Sequence, residues 1–250
     1  MIKCADVIHF LDTYLEIANI PDSSLNGLQV EGKAEISKIA FGVSASIQFF
    51  QQAKYAGADL LVVHHGLLWG KEQPITGLHG QRIAFLIKEG LALAGYHLPL
   101  DKHAIVGNNA CLLRAINSHS IHPFGEYHGN LIGYCGSVNN SPLDEIVKKL
   151  EDFCQTKAQV LPFGKPTINT VGIVSGGACS MLPQAIGQHL DLYVTGALDE
   201  PVQEWCREGH INCIALGHYN SEKAGVRALM ELVSKRFQVQ TEFIDVSNPL

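Results

Sequence analysis

The feature that most constrains this fold is one order of strand and helix segments that occurs twice along the chain. In its first occurrence, three apolar runs of strand length, "KIAFGVSAS", "DLLVVHHG" and "LALAGYHLPLD", are separated by the helical patterns "IQFFQQAKYAGA" and "HGQRIAFLIKEG". Gly57 and Gly90 are predicted to close these two helices. Strands that alternate with helices predict a mostly parallel sheet flanked by helices on both faces.

The second occurrence begins at Thr170 with "TVGIVSGGA" and continues through "AIGQHLDLYVTGA" to "REGHINCIALGHYNSEKAGVRAL". This correspondence aligns Asp59 with Asp191, each at the start of a strand. We therefore predict the α/β class, with two similar α/β lobes that come from an internal repeat. The lobes are predicted at residues 1–116 and 170–250.

Residues 117–169 interrupt this alternation of strands and helices. The segment "HPFGEYHGNLIGYCGSV" is rich in glycine and turn residues, "SPLDEIVKKLEDFC" has a helical pattern, and "AQVLPFGKP" follows. Because no strand–helix–strand unit is evident here, this range is predicted to be a smaller bridging or inserted region.

Composition and charge exclude several classes of function. The 250 residues carry a net charge of −6 without a basic cluster, which argues against nonspecific binding to nucleic acid. No apolar run approaches the roughly 18–20 residues of a membrane span, and "MIKCADVIHFLDTYLEIANI" is unlike a signal peptide. Seven scattered cysteines without a C-x-x-C motif indicate free thiols, so we expect a cytoplasmic protein. The twelve histidines are the unusual count and indicate metal or acid–base chemistry.

Polar residues that can bind a metal follow the strands at equivalent places in the two copies. In the first copy, the ends of the second and third strands carry His64, His65, His97 and Asp101. In the second copy, the matching places carry Thr195, His218 and Glu222. Ligands of such sheets bind beyond the carboxyl ends of the strands. We therefore expect both copies to contribute to one cleft.

The number of these side chains favours two metal ions over one. The set consists of three imidazoles and two carboxylates, His64, His65, His218, Asp101 and Glu222. A single catalytic zinc takes about three protein ligands, whereas five suit two divalent ions roughly 3.5–4 Å apart with a water between them. Mixed imidazole and carboxylate ligands suit Zn, Fe, Mn or Ni, and the sequence leaves the metal open among these.

Each of these residues also has a simpler interpretation. Adjacent histidines alone are weak evidence, because surface or hydrogen-bonded pairs are common. His218 with Glu222 is also typical of a helix-face pair, and Asp101 is also typical of a cap. Their combination at equivalent strand ends favours the metal site. The role of His97 stays open among an outer metal ligand, a hydrogen-bond partner of a ligand and a substrate contact.

Five motifs in order resemble one known family: "NGLQVEG", "ADLLVVHHGLLW", "YHLPLD", "DLYVTG" and "GHYNSE". Together they span most of the chain, which resembles the short bacterial form of the GTP cyclohydrolase I type 2 homologues, also called Nif three-like proteins. The resemblance implies two similar α/β lobes that bind two metal ions in the cleft between them. The implied ligands are His64, His65, Asp101, His218 and Glu222. It also implies a ring-shaped homohexamer, and the family name implies opening of the GTP purine ring with release of formate.

The chain departs from the family pattern in two places. The usual Thr-Gly-Glu of the second lobe is "TGALDE" here, so that Ala197 stands in place of the acid. The segment "GNLIGYCGSV" lacks the usual Arg and Glu. We therefore expect no acid–base role at Ala197 and the loss of a substrate contact in that segment.

The leading hypothesis is a metal-dependent hydrolase of a small-molecule substrate, with a nucleotide as a candidate. Two ions would lower the pKa of a bridging water, and hydroxide would attack an electron-poor carbon such as C8 of guanine. His97 is the candidate catalytic residue, for proton transfer or substrate orientation. The alternative is a non-catalytic hexameric scaffold or a sensor of metal or nucleotide. Phosphoester hydrolysis by the same two ions is a third hypothesis.

Overall fold

The computed structural model describes residues 1–250. The strands are β1 (Ile2–Lys3), β2 (Gly27–Val30), β3 (Glu35–Ile36), β4 (Lys38–Ser44), β5 (Leu60–His65), β6 (Ala92–Gly95), β7 (His119–Tyr127), β8 (Asn130–Pro142), β9 (Gln159–Pro162), β10 (Thr167–Ile173), β11 (Leu192–Thr195), β12 (Asn212–Ala215) and β13 (Gln240–Phe243). The helices are α1 (Cys4–Tyr14), α2 (Ile47–Tyr55), α3 (Gly77–Glu89), α4 (Leu98–Asp101), α5 (Asn108–Ala115), α6 (Leu143–Cys154), α7 (Leu182–Gly187), α8 (Val202–Gly209), α9 (His218–Ser221) and α10 (Lys223–Phe237). None of these helices combines the length and apolar character that crossing a membrane requires.

The chain forms two compact units whose boundaries differ from the predicted ranges. The first unit comprises Met1–Leu100 and Val226–Ser247, and the second comprises Asp101–Gly225 and Asn248–Leu250. The predicted bridging region, 117–169, lies in the second unit because its strands β7, β8 and β9 pair within that unit's sheet. The end of the predicted second lobe lies in the first unit because β13 pairs with β4.

The sheet of the first unit has the strand order β13-β4-β5-β6-β2. Strands β13, β4, β5 and β6 run parallel, and β2 pairs antiparallel with β6. Residues Leu60 to His64 of β5 are buried, as a central parallel strand covered on both faces requires. The register places Ser44 beside His65, so the carboxyl end of β4 meets the histidine pair.

Helix α2 begins at Ile47, the first residue of its predicted pattern, whereas α3 begins at Gly77, two residues before the start of its pattern. The Ser46 side chain caps α2 by accepting a hydrogen bond from the Phe49 amide at 3.2 Å. Gly90 ends α3 with φ at 64°, the left-handed conformation that glycine adopts without steric cost, so its predicted role is confirmed. A core between these helices and the sheet is built from Phe49, Phe50, Ala53, Leu61, Val63, Leu86 and Leu93.

The sheet of the second unit is mixed, with the order β7-β8-β10-β11-β12-β9. Only β10, β11 and β12 run parallel, while β7, β8 and β9 join through antiparallel pairs. The expectation of a mostly parallel sheet is therefore wrong for this unit, although the α/β class holds. Its buried core includes Leu112, Leu113, Ile146, Leu150, Ile168, Val171, Ile173, Leu192, Val194 and Ile214.

The segment that is rich in glycine and turn residues forms the hairpin β7–β8. Its two-residue turn, His128-Gly129, has φ at 48° and 80°. Positive φ at both central positions is typical of the type I′ turn, whose twist matches that of paired antiparallel strands. Gly129 therefore provides the positive φ that this hairpin turn requires.

Candidate metal-binding clusters

The first unit gathers three imidazoles at the carboxyl edge of its parallel strands. His64 and His65 end β5, and His97 lies two residues after β6. One ring nitrogen from each histidine lies within 4.8 Å of one from each of the other two. Because imidazole nitrogen is a preferred donor for transition metals, this cluster is a candidate metal-binding group.

The buried imidazole of His64 is held in one orientation. Its Nδ1 lies 2.9 Å from the carbonyl oxygen of Tyr96, and the side chain has no exposed surface. A carbonyl oxygen only accepts hydrogen bonds, so Nδ1 carries the proton and donates it. In the neutral ring the lone pair then lies on Nε2, as in histidines whose second nitrogen binds a metal.

The adjacent rings of His64 and His65 lie close together despite the alternation of side chains along a strand. Their centroids are 4.6 Å apart with 49° between the planes. His65 is the last residue of β5, and its Nδ1 lies 3.1 Å from Oγ of Ser44. The end of the strand therefore allows both rings to reach one region.

His97 is oriented by a buried carboxylate that the sequence did not reveal. Its Nδ1 lies 2.9 Å from Oδ1 of Asp22, whose side chain is 2% exposed. Asp22 also accepts hydrogen bonds from the amides of Leu98, at 2.9 Å, and Ser24, at 3.0 Å, and from the side chain of Asn26, at 3.0 Å. Burial would raise the pKa of Asp22, but the hydrogen bond and charge of His97, with the other donors, lower it to about 2.

The second unit gathers an imidazole and two carboxylates. Nε2 of His218 lies 3.3 Å from Oε1 of Glu222, and carboxylate oxygens of Asp101 and Glu222 lie within 4.8 Å of each other. Both carboxylates are buried, with 6% exposure for Asp101 and 2% for Glu222. His218 begins α9, and Glu222 lies at the junction between α9 and α10.

Asp101 is held in place by buried polar side chains. Its Oδ1 accepts hydrogen bonds from Nδ2 of Asn108, at 2.9 Å, and from Oγ of Ser175, at 3.1 Å. Asn109 donates to the backbone oxygen of Asp101 at 3.2 Å and accepts from the Ser175 amide at 2.7 Å. These bonds fix Asp101 to α5 and to the segment that follows β10.

Glycine is required where the backbone passes Glu222. Gly176 has φ at +68°, and a Cβ there would overlap Oε1 of Glu222 and lie 3.2 Å from Nε2 of His218. Its amide donates to Oγ of Ser221 at 2.9 Å. The "SGGA" segment is therefore a tight turn that packs beside the two side chains.

The sequence matches the family model described as Duf34/NIF3 (NGG1p interacting factor 3) over residues 2–249. The chain belongs to this family. A relative from Archaeoglobus fulgidus, described as a GTP cyclohydrolase 1 type 2 homolog, is 44% identical over 247 residues, which cover 98% of this chain and 99% of the relative. The resemblance expected from the sequence motifs is confirmed.

Solved structures share the whole fold of this NIF3-family chain. The protein ybgI, described as of unknown function, has 31% identity and a TM-score of 0.93, with 100% of both chains covered. A protein from Thermus thermophilus has 34% identity and the same TM-score of 0.93, again with 100% of both chains covered.

The donor groups of this NIF3-family chain fit divalent metal ions. The buried carboxylates of Asp101 and Glu222 within 4.8 Å of each other repel when both are ionised, and a cation near them would relieve that repulsion. In the first unit, the Nε2 lone pair of His64 is a donor of the kind that transition metals take. The number of metal ions and the identity of the metal remain predictions.

Several residues of these clusters were missed by the sequence analysis. Asn26 lies in the "NGLQVEG" motif, and its Oδ1 accepts a hydrogen bond from the His97 amide at 2.8 Å. The pair Asn108 and Asn109 begins a helix and is completely buried. Two consecutive amides within an apolar helix were the available signal, since buried polar groups need defined partners.

Proposed function

We propose that this NIF3-family protein is a metal-dependent hydrolase. The proposed ligands of two divalent ions are His64, His65, Asp101, His218 and Glu222. Support comes from each unit separately: clustered imidazoles in the first, and a histidine with two buried carboxylates in the second. That these five residues serve one pair of ions is part of the proposal, as is the identity of the metal among Zn, Fe, Mn and Ni.

The proposal includes an internal repeat that produced both units. In the first, Asp59 precedes β5 and accepts a hydrogen bond from Lys33 Nζ at 2.6 Å. In the second, Asp191 precedes β11 and accepts one from Lys165 Nζ at 3.0 Å. Each carboxylate also accepts from backbone and hydroxyl groups near the start of the neighbouring parallel strand. Matching ion pairs at matching strands support common ancestry of the units.

The observation that carries the enzymatic proposal is the pairing of His97 with Asp22 beside His64 and His65. Bound divalent ions would supply Lewis-acid activation of water. Because Nδ1 of His97 donates to the Asp22 carboxylate at 2.9 Å, its Nε2 is the atom that accepts a proton from the reacting group. Asp22 then stabilises the imidazolium that forms.

GTP is the first substrate to test, because relatives at up to 44% identity are described as GTP cyclohydrolase 1 type 2 homologs. The substrate class proposed is therefore a small molecule with a nucleotide as the leading candidate.

A homohexamer located in the cytoplasm is also part of the proposal. Mass photometry of the purified protein checks the assembly directly.

The decisive experiment is turnover by metal-reconstituted, full-length protein. Formate and phosphate release from GTP are measured together, beside a panel of phosphoesters, so that ring opening and phosphoester hydrolysis are distinguished. The reference for zero activity is the double variant His64→Ala, Glu222→Ala. His122→Ala, an exposed histidine on β7, is the matched control.

We expect wild type and the His122→Ala control to turn over, and the double variant not to. No turnover above the double variant on any substrate, combined with strong stabilisation by metal, would overturn the hydrolase in favour of the scaffold or sensor. Phosphate release without formate would replace ring opening with phosphoester hydrolysis.

A further inference from the structure

Gln29 is the extra residue of a β-bulge at the edge of the first unit's sheet. In the antiparallel pair of β2 with β6, Leu28 lies opposite Ala94, and two residues later Val30 lies opposite the next residue of β6, Leu93. Gln29 therefore has no counterpart on β6. A bulge changes the direction in which its side chains point, and bulges are frequent beside functional sites.

The side-chain amide of Gln29 joins two loops through hydrogen bonds at both of its ends. Its Oε1 accepts from the backbone amides of Leu67, at 2.7 Å, and Leu68, at 3.3 Å. Its Nε2 donates to the carbonyl oxygen of Leu25 at 2.6 Å. Because a backbone N–H only donates and a carbonyl only accepts, these partners fix which end of the amide is the oxygen.

Two glycines leave room for this amide. A Cβ at Gly66 would overlap the side chain of Gln29, to which its three nearest atoms all belong, and a Cβ at Gly95 would lie 2.9 Å from Nε2 of Gln29. Neither glycine has a positive φ, so the backbone conformation does not require glycine at either position. At Gly66 the close approach of the Gln29 amide does.

The loop that contains Leu25 carries the support of His97. Within it, the Asn26 side chain donates to Oδ2 of Asp22 at 3.0 Å and accepts from the amide of His97 at 2.8 Å. The other loop begins directly after the last residue of β5, the strand that carries the histidine pair. The amide of Gln29 therefore fastens the support of His97 to the end of that strand.

A backbone hydrogen bond joins the same two loops one residue farther from β5. There the Leu25 amide donates to the Leu68 carbonyl at 3.0 Å. At Leu67, nearer to β5, the amide bonds to the Gln29 side chain and not to the backbone of the other loop. Loss of the Gln29 amide would thus free the end of this ladder that lies nearest to the histidines, while the rest stays paired.

We propose that Gln29 is a positioning residue for the Asp22–His97 pair. The inference rests on the proposed function, in which His97 accepts a proton from the reacting group. All three side-chain hydrogen bonds of Gln29 go to backbone groups of the two loops, so it acts through the loops and not on the substrate or a metal ion. The absence of a side chain at Gly66 is part of the same arrangement.

The test is NMR of the imidazole nitrogens in metal-free protein labelled with ¹⁵N-histidine. The spectra are recorded at about pH 8.5, roughly two units above the ordinary histidine pKa of about 6.5, so that neutral tautomers are observed. His97→Gln and His64→Gln assign the two resonances of interest. We expect both histidines of wild type to carry their proton on Nδ1, because Nδ1 of His97 bonds to Asp22 and Nδ1 of His64 to the Tyr96 carbonyl.

Gln29→Met keeps the approximate length of the side chain and removes both hydrogen-bonding groups. In this variant the His97 resonances should lose the single Nδ1-protonated tautomer and move towards the average of the two tautomers. The His64 resonances should stay unchanged, since the carbonyl that holds that ring follows β6 and does not depend on Gln29. Gly66→Ala should change His97 in the same way by displacing the Gln29 amide.

Gln52→Met, at an exposed glutamine of α2, is the matched control and should leave both histidines unchanged. Unchanged His97 resonances in both Gln29→Met and Gly66→Ala would overturn the proposal. Equal changes in His64 and His97 would also overturn it, because they would show a general loosening of the unit. Melting temperatures of all variants are measured in parallel, and Gly66→Ala keeps the test decisive where Gln29→Met does not fold.

This outcome is separable from that of the hydrolase proposal, because the spectra need neither metal nor substrate. A tautomer change at His97 without turnover in wild type supports the positioning role alone. Turnover in wild type, with unchanged His97 resonances in both variants, supports the hydrolase alone. Where turnover is found, kcat of Gln29→Met should fall several-fold relative to Gln52→Met at unchanged metal content.

Discussion

Nδ1 of His97 lies 2.9 Å from Oδ1 of Asp22, a carboxylate whose side chain is only 2% exposed. The two residues are 75 positions apart in sequence. A carboxylate that accepts a hydrogen bond from one nitrogen of an imidazole fixes its tautomer, so that in the neutral ring the lone pair lies on the other nitrogen. In His97 the lone pair therefore lies on Nε2, which is the nitrogen that can accept a proton or bind a metal.

Replacing the carboxylate tests this relationship. Asp22→Asn keeps the size of the side chain but removes the charge that stabilises an imidazolium, so we expect kcat to fall by about tenfold or more. Metal content should stay unchanged, because Asp22 is not among the proposed ligands. Steady-state kinetics and elemental analysis are measured on the same preparation. Asp6→Asn, an exposed carboxylate on α1, is the control. Unchanged kcat in Asp22→Asn would contradict the assigned role.

Stability should depend on the ionisation of Asp22 in acid. Its pKa is about 2 in the folded state, below the value of about 3.9 for an unfolded chain. A lowered folded pKa stabilises the fold at pH values above the unfolded pKa, and this stabilisation is lost as the pH falls towards 2. The contribution is on the order of 2 kcal/mol.

Urea unfolding of metal-free wild type and Asp22→Asn at a series of pH values measures this contribution. The difference in free energy of unfolding between them should be largest above about pH 4 and shrink towards about pH 2. A difference that stays constant over this range would show that Asp22 does not titrate as described.

The strand–helix order and the ends of the parallel strands were predictable because their signals are local. An apolar run such as Leu60 to Val63 predicts a buried strand, and the next two residues then lie at its carboxyl end whatever the rest of the chain does. The positions of His64 and His65 were accordingly found from sequence alone. Gly90 ended its helix for an equally local reason.

The sheet edges and the partners of the functional side chains were not predictable in the same way. Pairing of β13 with β4 joins segments some 200 residues apart, and nothing local in "QTEF" specifies it. The segment around Gly129 is identifiable from sequence only as rich in glycine and turn residues, because glycines are as typical of irregular turns as of a hairpin turn. Asp22 was missed because a single acid in a turn becomes informative only when His97 is brought to it.

Metal removal should destabilise the protein. A ligand that binds only the folded state adds to its stability in proportion to the logarithm of its concentration over Kd. We expect a chelator to lower the melting temperature of wild type by several degrees. His64→Ala should start lower and respond weakly, because the variant lacks a proposed ligand. Differential scanning calorimetry of both proteins, beside His122→Ala, makes the comparison. An equal chelator response in His64→Ala and wild type would remove His64 from the ligand set.

Two neighbouring glycines offer a test of the second cluster. A Cβ at Gly176 would overlap Oε1 of Glu222 in a backbone with φ at +68°, whereas one at Gly177 would lie 3.5 Å from the nearest atoms of His218, an ordinary contact. Gly176→Ala should therefore displace the Glu222 carboxylate and cost roughly 1–3 kcal/mol in backbone strain. We expect this variant to lose bound metal, measured by elemental analysis after dialysis, while Gly177→Ala retains it. Full metal content in Gly176→Ala would show that Glu222 does not need its present position to hold an ion.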